Sequence, residues 1–216
     1  MRILVTGGTG VLGQAFRPLA EADGHEVRAP RRDELDLFDP AAVAKAVGDV
    51  DAVLHLATRI RPLDRLGDRG AWRENDRLRA EASQILVDGA LAADVQTYVQ
   101  PTVTFVYPSG RPVSETTPVG EVSAILRSAL SAERQAERFA AAGRRGVVLR
   151  LGLLDGPGTG HDRPNAALGA TLHCADAGCA LLAALAVPSG VYNVCRDGER
   201  VSNRRFTETV GWHPRR

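Results

Sequence analysis

The sequence predicts an α/β protein in which a parallel sheet is covered by helices on both faces. Three observations predict it. Short apolar runs alternate with longer segments of helical periodicity along the whole chain. The connections between them are short, with no repeat and no low-complexity linker. The first apolar run ends in a glycine cluster that leads straight into a helical segment. Strands and helices in strict alternation need crossover connections, and hence a doubly wound parallel sheet.

Taken in order, "RILVT" is a buried strand ending in glycines. "VLGQAFRPLAEAD" follows with helical spacing, and Pro18 should kink it or set its register. "HEVRAP" is a second short strand. "DPAAVAKAVGD" opens with an Asp cap and a Pro at the first helical position, so it reads as a helix. "DAVLHLA" is a third buried strand, and "WRENDRLRAEASQILVDGALAAD" a long amphipathic helix. "QTYVQ" and "VTFVY" read as strand four and its extension, "SAILRSALSAERQAERFAAAG" as another long helix, and "GVVLRLG" as strand five. "TLHCADAGCALLAALAVPSGVYNV" reads as strand, helix and strand. Between them "DGPGTGHDRPNAALGA", rich in Gly and Pro, reads as a lid or substrate loop.

Composition narrows the function classes. The chain has 216 residues, 44% hydrophobic and 25% charged, enough for a real core. Its net charge of +1, from 27 basic and 26 acidic residues, argues against nucleic-acid and membrane partners. Cys174, Cys179 and Cys195 form no CxxC pair and read as free thiols of a reducing compartment. No leader-like segment and no bilayer-length apolar run is seen, so the expectation is a cytoplasmic protein. No metal-ligand spacing stands out, so no metal is expected. Lys45 is the only lysine, which removes a catalytic option.

"TGGTGVLG" carries the chemistry. It places Gly7, Gly10 and Gly13 at GxxGxxG spacing between the first strand and the first helix, with Thr9, Val11 and Leu12 between and beside them. Glycines allow a tight turn and close approach of backbone to a pyrophosphate, and the helix N-terminus offers free N–H groups. The fold class is therefore a Rossmann-like doubly wound sheet, with residues 1–155 as its dinucleotide-binding domain. Residues 156–216 form a small substrate-binding cap interleaved with the last strands.

On these residues the chain resembles the extended and atypical short-chain dehydrogenase/reductases, the group that contains sugar-nucleotide epimerases and dehydratases. "TGGTGVLG" is similar to their TGxxGxxG, and "DLFDPAAVAKAVGDVDAVLHLAT" to their adenine-contacting Asp-Leu followed by an "HLA" strand end. Asn75 sits where the family usually has an Asn. "VVLRLGLLDGPGTG" resembles LRxxxxYGPG with Asp155 replacing the aromatic, "TLHCADAG" resembles IHVxDxA, and "GVYNVCRDGERVS" resembles YNVxxxxxxS. The resemblance implies that Asp36 and Leu37 flank the adenine. It implies that Leu56, Ala57 and Thr58 line the adenosine and phosphate channel, and that Leu153 lies beside the nicotinamide. Without a cofactor, Leu56, Ala57 and Leu153 would be ordinary core packing.

Two further features bear on which cofactor and which reaction. An acid at the end of the second strand would accept hydrogen bonds from the adenosine ribose and repel a 2′-phosphate. Arg31 stands close to that position, about 24 residues beyond Gly7, and Arg32 follows. Guanidinium pairs bidentately with phosphate, so NADPH/NADP is expected over NAD. A small register shift would instead give the role to Asp33 or Glu34. The family's Tyr-x-x-x-Lys is missing: aligning Glu137 with the usual Glu puts Ala129 and Glu133 at the Tyr and Lys positions, and the helix contains neither residue type. An unassisted phenol with pKa near 10 is a poor base at pH 7.

The usual Ser or Thr near the end of strand four falls at Val103, straddled by Thr102 and Thr104. Either hydroxyl is a candidate donor to a substrate carbonyl, or a plain β-branched strand residue. Tyr107 is a further catalytic candidate or a structural aromatic. His173 and Asp176 lie on the segment that closes the pocket, with a structural His as the plainer reading. Three functions compete. The first is an NADPH-dependent ketoreductase of a polyketide or other small-molecule carbonyl in antibiotic biosynthesis, with the substrate supplying the proton, for example through a phenol beside the ketone; family members lacking the Tyr include ketoreductases that act on angucyclinones. The second is a nucleoside-diphosphate-sugar epimerase or dehydratase. The third is a non-catalytic NADP-binding regulator. The partner is a small-molecule substrate, and the protein a monomer or a homodimer through the helices at 71–93 and 121–142.

Overall fold

In the computed structural model, described for residues 1–60, 68–110, 112–165, 167, 169–198 and 200–215, the sheet and its helices follow the alternation of the sequence. Its strands are β1 (Arg2–Thr6), β2 (Glu26–Arg28), β3 (Ala52–His55), β4 (Thr97–Val103), β5 (Arg145–Leu151) and, after a two-stranded excursion, β8 (Gly190–Val194). All pair in parallel, in the order β2-β1-β3-β4-β5-β8. The excursion is a separate parallel pair, β6 (Leu153–Asp155) with β7 (Thr171–His173).

The helices are α1 (Val11–Ala22), α2 (Pro40–Val47), α3 (Arg69–Arg77), α4 (Ser83–Ala92), α5 (Arg127–Ala141), α6 (Cys174–Ala184) and α7 (Arg204–Val210). Alternating strand residues split the core into two layers. Ile3, Val5, Val99 and Leu149 face α1, α6 and α7 through Phe16, Leu181 and Phe206. Leu4, Val53, Tyr98 and Val148 face α2, α4 and α5 through Val47, Leu86 and Phe139. Burial on both faces is why the strands read as continuous apolar runs.

α2 begins as its sequence dictates: Asp39 accepts from Ala41 N–H and Pro40 opens the helix. α1 continues through Pro18 to Ala22 without interruption. Two segments depart from the sequence reading. The long helix from 71 to 93 is broken by a π-turn at Leu78–Ala82, where His55 Nε2 bonds the Leu78 carbonyl and Ser83 Oγ donates to the Arg79 carbonyl. Side chains drawn onto backbone carbonyls in this way give the extra residue a place in the turn. "VTFVY" does not extend β4, because Thr104–Val106 close into a 3-10 turn.

The sheet order reverses between β1 and β3. At such a switch point the helices after the two strands leave toward opposite faces and open a crevice at the strand ends. Residues 156–216 supply β7, α6, β8 and α7, and β8 returns to pair with β5, so this stretch completes the main sheet.

Candidate functional site

The crevice is built from the glycine turn outward. Gly7 has φ +74°, and a Cβ there would stand 2.6 Å from Ala57 N. A Cβ on Gly13 would meet Gly8 Cα at 2.5 Å. Glycine is therefore required at both positions by space, and at Gly7 also by backbone conformation. Gly10, the N-cap of α1, offers no side-chain cap, so the N–H groups of Val11, Leu12 and Gly13 stay available at the positive end of the helix. Gln14 Nε2 steadies the turn by donating to the Thr9 carbonyl at 2.7 Å. Across the crevice, a Cβ on Gly158 would lie 3.4 Å from Val11, so the loop after β6 packs against the start of α1. A cradle in which any side chain would collide, ending on uncapped helical N–H groups, fits the pyrophosphate of a dinucleotide.

The banks of the crevice hold the other cofactor candidates. Leu56 is buried in the core, Ala57 is half-buried behind Gly7, and Thr58 is exposed at the rim. Asp36 is exposed and accepts from Phe38 N–H at 2.9 Å, while Leu37 packs partly into the core. Arg31 donates its backbone N–H to Glu34, which makes the turn after β2 self-capped, and its side chain is exposed. Arg32 reaches across to Glu74 of α3 at 2.6 Å. Asn75, fully buried beside it, accepts from Arg59 N–H at 3.0 Å and leaves its Nδ2 without a partner. An orphaned buried donor next to the β3 end fits a polar group of a bound ligand.

Farther along the strand ends sits a buried polar network absent from the sequence reading. Glu133, at 3% exposure, receives Arg150 Nε at 2.9 Å, Arg150 Nη2 at 2.6 Å and the Thr102 hydroxyl at 2.8 Å. Burial alone would lower the Arg150 pKa, but the Glu133 carboxylate more than reverses this and holds the guanidinium charged. Arg150 also lies 4.8 Å from the Tyr107 ring centroid. The Tyr107 phenol donates to Asn193 Oδ1 at 2.9 Å, and Asn193 Nδ2 donates to the Ser202 carbonyl. Burial pushes the phenol pKa up, with Arg150 opposing.

These contacts sort the catalytic candidates. The proton of Thr102 is committed to Glu133, so as a donor to a substrate carbonyl Thr102 is displaced by the ion pair. The proton of Tyr107 is committed to Asn193, which ties the phenol to β8. Thr104, in the 3-10 turn, is buried at 2% exposure, and among the described residues no hydrogen bond of its hydroxyl to another side chain is seen. Ala129 and Glu133 are both buried against the sheet, and no proton-transferring pair stands on α5. Leu153 begins β6, with its N–H donated to the Ala170 carbonyl.

The closing segment is structural where its contacts are visible. His173 caps α6 by accepting from Ala175 N–H, and Asp176 accepts from Arg215 N–H. Asp155 makes a two-pronged pair with Arg196, the reason an acid stands where an aromatic was expected. His55 is buried with a pKa lowered to about 4 by desolvation. Its Nε2 faces the Leu78 carbonyl and so carries the proton, and Nδ1 then accepts from Thr6. Among the described residues no three His, Cys, Asp or Glu side chains gather as a metal site, and no helix is long and apolar enough to cross a membrane.

Comparison with known proteins gives the family and the fold. The model of the NAD dependent epimerase/dehydratase family matches residues 3–190. A 3-diazoavenalumate denitrifying reductase from a Streptomyces species is 34% identical over 184 residues, covering 76% of this chain and 59% of the relative. A 2-alkyl-3-oxoalkanoate reductase from Stenotrophomonas maltophilia strain K279a is 39% identical over 107 residues, 43% of this chain and 29% of the relative. The chain thus spans well under two thirds of the length of these curated relatives. The structure of RMD from Pseudomonas aeruginosa complexed with NADPH superposes with a TM-score of 0.79 at 19% identity, covering 99% of this chain and 94% of that one. At that identity the likeness is one of fold.

Proposed function

The chain belongs to the NAD dependent epimerase/dehydratase family, and from that premise we propose that it is an NADPH-dependent ketoreductase of an aromatic natural-product carbonyl whose own phenol supplies the proton. The observation that carries this reading is the Glu133–Arg150 pair: Glu133 stands at the helix position of the family's usual lysine, is held by Arg150 of β5, and α5 carries neither a tyrosine nor a lysine. The reductase names of the two curated relatives support the reaction class, and the arginines after β2 support the phosphorylated cofactor. Bound NADPH would supply the hydride.

The residues of the chain do the rest. Gly7, Gly10, Gly13 and the N–H groups of Val11 and Leu12 hold the pyrophosphate, with Thr9 shaping the turn. Asp36, Leu37, Leu56, Ala57 and Thr58 line the adenosine, Arg31 and Arg32 receive the 2′-phosphate, and Leu153 packs by the nicotinamide. Thr104 donates to the substrate oxygen as charge develops on it. A phenol beside the ketone passes its proton to the new alkoxide.

A second reading is favoured by the Streptomyces relative, whose name describes a diazo substrate. A diazo-bearing carbon that accepts hydride releases dinitrogen with the old bonding pair, and that step too needs no proton from the enzyme. A sugar-nucleotide epimerase would need the tyrosine–lysine pair on α5, and that helix carries neither residue type. A regulator would need an apolar docking patch, and among the described residues the only exposed large hydrophobics are Met1 and Ile60.

The test is NADPH oxidation by the purified protein with a phenolic polycyclic ketone and, in parallel, an aryl diazo acid. Ketone turnover that falls at least about tenfold in Thr104→Val supports the first reading. Dinitrogen release with the diazo acid alone selects the second. Tightly retained NAD with neither turnover would return the protein to sugar-nucleotide chemistry.

A further inference from the structure

Arg32 and Arg59 come from the segments after β2 and β3, the strands that flank β1 in the sheet, and one carboxylate engages both. Arg32 Nη1 donates to Glu74 Oε1 at 2.6 Å, and Arg59 Nε lies 3.6 Å from Glu74 Oε2. The link joins the two banks of the crevice across the end of β1, where the glycine turn begins. Glu74 is held there by contacts that do not involve Arg32. Its neighbour Asn75 accepts from Arg59 N–H, and Arg77, one helical turn on, places its guanidinium 4.0 Å from the ring centroid of Phe38, next to Leu37.

The side chain of Arg32 is 80% exposed and that of Glu74 32%. An ion pair so open to water is weak and yields to a stronger anion. A phosphate monoester is such an anion, with nearly two charges at neutral pH and three acceptor oxygens against the single charge of a carboxylate.

We propose that Glu74 is a resident stand-in for the 2′-phosphate of NADP(H). In the free protein it neutralises Arg32 and Arg59, and a ligand bearing a 2′-phosphate displaces it. This rests on the NADPH reading above. Glu74 then sets the margin between the two dinucleotides, because it competes only with the one that carries the extra phosphate.

The test reads binding and not turnover. Titration calorimetry at low salt would compare 2′,5′-ADP with ADP on the wild-type protein, Glu74→Gln, Arg32→Ala and the double variant. Glu74→Gln should tighten 2′,5′-ADP by about three- to tenfold and change ADP by less than about twofold. Raising the ionic strength should shrink the gain. Arg32→Ala should weaken 2′,5′-ADP and cancel the gain in the double variant. Unchanged or weaker 2′,5′-ADP binding in Glu74→Gln overturns the proposal, as does a gain that survives Arg32→Ala. Weaker ADP binding in Glu74→Gln would make Glu74 an acceptor for the ribose hydroxyls and also overturns it. Wild-type protein that binds ADP but not 2′,5′-ADP would remove the NADPH reading itself, a failure visible before any substitution is made, and the proposal would fall with it.

Discussion

Replacing Glu133 by glutamine keeps the shape of the side chain and removes its charge from a site that is 3% exposed. Three hydrogen bonds end on this carboxylate, two of them from a guanidinium that is itself 6% exposed. Glutamine retains one acceptor oxygen and turns an amide donor toward a donor of Arg150. Arg150 then loses its counter-charge and keeps one neutral acceptor and the Tyr107 ring, a contact worth about 1 kcal/mol. Removing one partner of a buried pair costs about 3–5 kcal/mol, and the ring contact argues for the lower end, about 3 kcal/mol. For a domain of this size that is roughly 6–12 °C in Tm. Equilibrium urea unfolding with an unchanged m-value is the assay. Glu133→Leu with Arg150→Met should recover most of the loss, since an apolar pair replaces a buried ionic one at little cost. Glu133→Lys, even combined with Ala129→Tyr, should lose more than Glu133→Gln, because it sets a second buried cation beside Arg150 and a phenol where Ala129 has no free surface. A loss below about 1 kcal/mol in Glu133→Gln, the range of exposed pairs, would refute the reasoning.

Two other outcomes follow from the same geometry. Gly13→Ala drives a Cβ to 2.5 Å from Gly8 Cα, so the turn must open. The expected result is dinucleotide binding weakened at least about a hundredfold with a loss of about 2–3 kcal/mol in stability, read by NADPH fluorescence titration and urea unfolding. For His55, folding lowers the pKa from 6.5 to about 4, so the neutral form belongs to the fold. Stability from this group is whole above pH 6.5 and is lost as pH falls toward 4, by up to about 3 kcal/mol. His55→Gln should flatten that part of the profile, and an identical pH slope in the two proteins would show that His55 is not the group responsible.

Much of the fold was legible because the signals are local. Apolar runs long enough for a strand, Asp39 before Pro40, and glycines at steps of three depend on neighbours within one turn or one strand, and each appears where the residues put it. The absence of Tyr-x-x-x-Lys needed only a count of one lysine. The π-turn at Leu78–Ala82 was not legible, since it depends on His55, 23 residues away in sequence, reaching a helix carbonyl. The end of β4 is not legible either, because Thr, Val, Phe and Tyr suit a strand equally well and nothing in that stretch announces the 3-10 turn at Thr104–Val106.

The sequence by itself determined that this chain makes a dinucleotide cradle on a parallel sheet and cannot use the usual proton donor. Both conclusions rest on what a residue type can or cannot do in any surroundings: glycine has no Cβ, and alanine has no proton to give. Only the tertiary structure decided what stands in the vacated place. Glu133 and Arg150 lie on a helix and a strand, and Arg32 and Glu74 on a loop and a helix, 42 residues apart. Which charges meet across such distances is set by the order of strands in the sheet and the face each helix covers. It is there that the hydroxyls of Thr102 and Tyr107 found their partners, Glu133 and Asn193.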